Sequence, residues 1–168
     1  MTQMDADKQT DEALKSRFTA VTTGTFRGQT RAVVPAEQSY EALEFLKGRG
    51  FDLLVDITCV DYLRYRGATD RFGLAYILTN TETNKRLVVR TYLNEPDLVV
   101  PSVTPLWEGA NWMEREVWDM FGIRFEGHPD LRRILLPEEF TAFPLRKDYP
   151  LQGRGERHNF PVLTREDA

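Results

Sequence analysis

Cysteine is nearly missing from this chain: Cys59 stands alone among 168 residues. One thiol excludes an internal disulfide, a zinc knuckle and a four-cysteine iron–sulfur cluster ligated by this chain alone. It fits a reduced compartment. Histidine is almost as scarce, with only His128 and His158, which narrows the acid–base chemistry available near neutral pH. Long hydrophobic runs are lacking as well. The longest apolar stretches are a few residues, far short of the ~20 needed to span a bilayer as a helix, and the polar opening MTQMDADKQTDEALKSRF has no apolar centre for a signal peptide. Membrane association is therefore expected only through a partner. No P-loop, G-x-G-x-x-G pattern or internal repeat announces a nucleotide site or a solenoid. Nor is there an excess of positive charge. Lys and Arg total 22 against 26 Asp and Glu, a net charge of -4, which disfavours a general nucleic-acid binder or an adaptor acting through its arginines.

What is present is the composition of an ordinary globular protein, 41% apolar and 29% charged. Residues 1–17 read as a polar lead-in with a short helix near Glu12–Phe18. Alternation at Thr30–Val34 predicts a first strand. Pro35 then opens a helix that places Tyr40, Leu43 and Leu46 on one face and stops at Gly48 and Gly50. Phe51–Val60, nearly all apolar or β-branched, predicts a central, well-buried strand. Arg71–Thr79 and Arg86–Leu93 flank the turn NTETNK as an antiparallel hairpin. Pro96, Pro101 and Pro105 punctuate a connector, and a second helix runs from about Glu108 to Phe121, ending at Gly122. This order predicts an α+β fold: a two-layer domain with helices on one face of a mixed, largely antiparallel sheet.

The character changes after Gly122. Five prolines, Pro129, Pro137, Pro144, Pro150 and Pro161, are spread through residues 123–168, which breaks long helices and central strands alike. Apolar residues nonetheless recur there, from Phe125 and Leu131 to Tyr149 and Leu151. An extended Pro-rich C-terminal tail carrying such anchors needs a surface to lie on. The expected organisation is a lead-in (1–17), an α+β domain (18–122) and an extended partner-binding segment (123–168).

Candidate chemistry is concentrated in 110–151. On a helix, Ala110, Met113, Val117 and Phe121 form an apolar stripe, while Glu116 with Asp119, and Arg115 with Asp119, lie close enough to meet. Glu116, Asp119 and His128 would be the ligands of a stand-alone metal-dependent hydrolase, but a single histidine without a second ligand motif is a thin basis for a metal site. The bland reading is an ion-paired helix face, with Arg132 or Arg133 as partner. Gly127 and Pro129 shape a turn, and Asp130 is placed to cap the short segment after it. Arg132 and Arg133 suit planar contacts with carboxylates. The run PLRKDYPL, 144–151, brackets Arg146, Lys147 and Asp148 between prolines and apolar residues, a pattern of peptide docking rather than catalysis. Cys59 reads as a core residue; Asp56 and Asp61 are either functional or, as strand-end acids more often are, solvent-facing or turn-capping; and Ser102 lacks a G-x-S-x-G context.

Taken together, ANWMEREVWDMFGIRFEGHPDLRRILLPEEFTAFPLRKDYPL at 110–151 closely resembles the signature of the C-subunit family of the proton-translocating NADH:quinone oxidoreductase, respiratory complex I. Glu114–Glu116, Trp118–Asp119, Met120–Ile123, Gly127–Leu135 and Pro144–Asp148 carry the match, and the likeness extends over about residues 30–151. The resemblance implies a non-catalytic scaffold subunit of the peripheral arm, with no cofactor of its own. It implies partners in the D and B subunits and other peripheral-arm subunits, and a place on the cytoplasmic face of the bacterial inner membrane. Ending at Ala168, the chain would be the form not fused to the D subunit. Glu114, Arg115, Glu116, Asp119, His128, Asp130, Arg132, Arg133, Arg146, Lys147 and Asp148 are the expected interface residues. Related subunits of membrane-bound hydrogenases share the signature.

Overall fold

The computed structural model describes residue 10 and residues 12–18 and 20–156. Most of the lead-in and the last part of the tail, with His158 and Pro161, lie outside the described residues. The elements are β1 (Thr22–Phe26), β2 (Gln29–Val33), α1 (Ser39–Gly48), β3 (Leu53–Asp61), β4 (Phe72–Asn80), β5 (Lys85–Leu93), β6 (Val99–Pro101), α2 (Ala110–Phe121) and β7 (Arg124–Glu126). Five strands form one sheet in the order β1-β2-β5-β4-β3. Only the β2–β5 pair is parallel, so the sheet is mixed and largely antiparallel, as the sequence predicts.

One expectation is overturned. The strand read as central, β3, lies at an edge. It alternates rather than being buried throughout: Leu54, Ile57 and Cys59 face the core, while Leu53, Val55 and Val60 are 46%, 40% and 43% exposed. An apolar, β-branched run does not by itself say how many neighbours a strand has. β5 takes the middle place instead, flanked by β2 and β4.

A hairpin that the sequence pattern does not separate adds β1. It turns at Arg27 and Gly28, both in the left-handed region at φ 50° and 79°, the geometry of a two-residue turn between twisted strands. A second, two-stranded sheet pairs β6 with β7 in parallel. It is what the proline-rich connector builds on.

The core is continuous. Ala42, Leu43 and Leu46 of α1 and Ala110, Val117 and Phe121 of α2 join the inward residues of the sheet, among them Leu74, Tyr76, Leu78, Leu87 and Val89. Each fully buried aliphatic side chain contributes about 1.5–3 kcal/mol by leaving water. The cluster also reaches beyond the expected boundaries. Leu14 of the expected lead-in is fully buried, and Ile123 and Phe125 of the expected tail are packed inside, while Phe18, the first residue of the expected domain, stacks edge-on against Phe45. Packing thus continues through β7, and irregular backbone begins at about residue 127.

Candidate functional site

The second helix organises the site. It begins after Gly109 and ends at Gly122, whose φ of 78° closes the helix with a bond from its N–H to the Trp118 carbonyl at 2.8 Å. A left-handed residue without Cβ is needed twice over here. An added Cβ would come within 2.5 Å of the Phe143 ring and 2.8 Å of the Arg146 guanidinium. The returning segment therefore passes directly over the helix end.

Two acids on this helix are turned inward, five residues apart. Asp119 is completely buried. Its Oδ2 accepts backbone N–H bonds from Ile134, Leu135 and Leu136 at 3.0, 2.8 and 3.0 Å. Its Oδ1 receives the Arg133 guanidinium at 2.5 Å. Burial alone would raise this carboxyl, but the three amides and Arg133 outweigh it and hold it below the usual carboxylate range. Asp119 thus stays charged and fixes a stretch with no ladder of its own to satisfy its amides.

Glu114 is held differently. Ser102 Oγ donates to it at 2.7 Å, the Val103 N–H at 2.7 Å and Thr104 Oγ1 at 3.4 Å. These bonds tie the helix to the chain just after β6. Here burial outweighs the donors and pushes the carboxyl up to about 7. His128 has its Nε2 3.9 Å away. Its ring bonds the Asn111 carbonyl at 3.2 Å and accepts from the Asp130 N–H at 3.0 Å.

The arginines complete the hold on the segment. Arg115 does not meet Asp119; it donates to the carbonyls of Arg132 and Arg133 at 3.1 and 3.2 Å. Arg133 also reaches the Ala142 carbonyl at 3.3 Å and lies over the Trp118, Phe140 and Phe143 rings. Arg146 donates to the Phe121 carbonyl at 2.6 Å and to Glu95 at 2.8 Å. Buried Asp61, at the end of β3, accepts the Lys147 N–H at 2.8 Å, and Asp148 pairs with Arg71 at 2.8 Å. The Arg71 hydrogen bond lowers Asp148 below its ordinary value.

Of the expected interface residues, Glu114, Arg115 and Asp119 are buried and spent within the chain, Glu114 on the chain after β6 and the other two on the segment at 132–136. Arg133 and Arg146 are half-buried in the same work. Glu116, Asp130, Arg132, Lys147 and Asp148 are exposed, and Asp130 and Arg132 pair with each other at 2.9 Å. The hydrolase set does not assemble: Asp119 is saturated by donors, His128 is bonded to backbone, and Glu116 faces water. Among the described residues no group of three or more His, Cys, Asp or Glu could hold a metal ion. Burial pushes the Cys59 thiol up to about 12, which suits a core residue rather than a nucleophile. Arg71 and Glu95 belong to the site although the sequence pattern does not point to them, and Asp61 joins it as a hydrogen-bond acceptor rather than as a solvent-facing acid.

No helix among the described residues is long and apolar enough to cross a membrane. Residues 32–155 match the family of the respiratory-chain NADH dehydrogenase, 30 Kd subunit. The chain is 48% identical over 130 residues to the C subunit of the NADH-quinone oxidoreductase of Trichlorobacter lovleyi, covering 77% of this chain and 79% of that one. It is 46% identical over 145 residues to NADH-quinone oxidoreductase subunit 5 of Thermus thermophilus, covering 83% and 67%. Among solved structures, it is similar to a trypsin-resistant fragment of Nqo5, with a TM-score of 0.68 and 37% identity over 74% of this chain and 98% of the fragment. It is also similar to a chain of an archaeal membrane-bound sulfane sulfur reductase, with a TM-score of 0.75 and 26% identity over 94% and 93%.

Proposed function

Because the chain belongs to the 30 kDa subunit family of respiratory-chain NADH dehydrogenase, and is thereby the C subunit in the peripheral arm of the NADH:quinone oxidoreductase, we propose that its own task is to scaffold. Residues 127–156 serve as a binding strip for the D and B subunits and neighbouring peripheral-arm subunits. The chain holds no cofactor and performs no step of the electron transfer itself. It reaches the cytoplasmic face of the membrane only through those partners.

One observation carries this reading. The segment is fixed from behind by buried groups of the domain while apolar side chains project outward. Leu135 and Leu145 are 60% and 49% exposed, and Leu151 and Trp112 are exposed as well. Charged Glu116, Asp130, Arg132 and Lys147 stand among them. An apolar strip interleaved with charges on a pre-shaped backbone suits a protein interface with a desolvated centre and a polar rim. Holding the strip in place beforehand reduces the ordering cost of association.

The test is to tag the full chain in its native host, solubilise the membranes gently and identify what copurifies by mass spectrometry. The D and B subunits in stoichiometric amounts are expected. Leu135→Asp with Leu145→Asp should deplete them while leaving the chain folded. Recovery of the chain alone, or with hydrogenase subunits in their place, would contradict the proposal.

A further inference from the structure

Both helices pack on one face of the five-stranded sheet, leaving the other face open. Along β5 the alternation is unambiguous. Leu87, Val89, Thr91 and Leu93 are buried in the core, so Arg86, Val88, Arg90 and Tyr92 stand on the open side. The register places Arg31 of β2 directly beside Val88, and Ile77 of β4 on its other side. Three guanidinium groups therefore surround one valine. None of the three has an ion-pair partner among the described residues, and Arg31 Nε is buried without an acceptor. The sheet acid on this face, Asp56, lies across Ile77 from Val88, two strands or about 10 Å away. In a chain of net charge -4, this is a local surplus of positive charge.

The same face carries a socket. A cavity of about 470 Å³ opens beside Arg90, walled by Tyr62, Tyr65 and Tyr92, with one acid in its lining, Asp70, whose Oδ1 accepts from Asn94 at 2.8 Å. Gly73 lets two of these rings lie close against the sheet: a Cβ there would come within 2.7 Å of the Tyr62 ring and 3.2 Å of the Tyr92 ring. From Arg86 to Tyr92 the row of cations and the socket extends about 20 Å along the strand, the dimension of an extended peptide rather than of a small anion. A second copy of the chain is a poor occupant, since two such faces would set arginine against arginine.

We propose that the open sheet face docks an acidic, extended segment of another subunit of the complex. Its carboxylates lie on Arg31, Arg86 and Arg90, and one apolar or aromatic side chain enters the tyrosine socket. Guanidinium forks favour carboxylates in paired, planar geometry, and tyrosine walls supply rigid, amphipathic contact area. The inference rests on the chain's place among partner subunits and extends it to a surface remote from residues 127–156.

The experiment places the photo-cross-linker p-benzoylphenylalanine at Val88, and separately at exposed Thr58 on the same face, in the tagged full chain within the isolated complex. Both probes should cross-link to one segment of a different subunit, in which Asp and Glu outnumber Lys and Arg. Combining Arg31→Glu, Arg86→Glu and Arg90→Glu should cut the yield at least tenfold without shifting the thermal unfolding of the free chain. If partners copurify but neither probe cross-links, or the adducts map to a basic segment, to this chain's own residues or to a second copy, the docking proposal fails while the scaffold reading stands. If no partner copurifies, both fail.

Discussion

The domain through residue 126 and the segment after it are held by different forces. In the domain, side chains such as Leu43, Leu74, Leu78 and Val89 are fully buried, and the stabilisation is non-directional removal of apolar surface from water. In 127–156 few side chains are fully buried. The path of the chain is set instead by directional acceptors: Asp119 for three amides and Arg133, Asp61 for the Lys147 amide, and the Met120 and Phe121 carbonyls for Leu145 and Arg146. Burial makes the domain stable, whereas hydrogen bonds to fixed charges make an irregular segment follow one course. The first depends on how many apolar groups are packed. The second depends on a few particular atoms.

Leu74→Ala strikes the domain and should have the largest effect. Removing a fully buried leucine from a packed core costs about 2–5 kcal/mol, read as a lower urea midpoint for the whole chain, segment included. Asp119→Ala strikes the other mode. It strands Arg133 and three amides, at a cost of about 2–3 kcal/mol, below that of a fully buried pair because the segment can lift into water. Hydrogen exchange at 134–136 should accelerate more than tenfold while β4 and β5 stay protected. Equal acceleration in those strands would mean that the segment and the domain form one cooperative unit.

Acidity separates the two buried acids of α2. Folding raises Glu114 from 4.5 to about 7, so between those values the folded chain binds more protons than the unfolded one. Stability contributed there is present below pH ~4.5 and falls as pH rises toward 7, by about 3 kcal/mol. Asp119 is lowered by folding, so its contribution is present above the ordinary aspartate range and is lost on acidification below it. Denaturation midpoints from pH 5 to 8 should decline in the native chain and stay nearly flat in Glu114→Gln. A decline that persists in the variant would assign the slope to another group.

Gly122→Ala should cost about 1–2 kcal/mol for the left-handed backbone alone, with displacement of Phe143 and Arg146 added. Asp130→Asn should be the mildest change. Its pair with Arg132 is exposed on both sides, and such pairs are worth about 0–1 kcal/mol, so thermal unfolding of the free chain should barely move.

The same division explains what the sequence makes legible. The helix at Ala110–Phe121, the hairpin of Phe72–Asn80 and Lys85–Leu93 and their turn follow from apolar periodicity and glycine stops. β1 escapes notice because its Thr and Gly residues are largely exposed and carry no inward alternation. β6 and β7 are three residues each, too short for a period to register. The edge position of β3 depends on strand order, which no local pattern encodes. In the site, Arg133 is foreseeable as a partner for the helix acids. The role of Asp61 is not, since 86 residues separate it from the Lys147 amide it accepts. Ser102, unremarkable as a nucleophile, proves to be a donor to a buried carboxylate.

The central claim is that residues 127–156 serve assembly rather than chemistry, and Arg133→Ala tests it most directly. Blue-native gels should be paired with quinone-reductase rates normalised to each assembled particle. Less assembled complex, with an unchanged rate per particle, is the expected result. Normal assembly with a collapsed rate per particle would contradict the account and place the segment at the reaction itself.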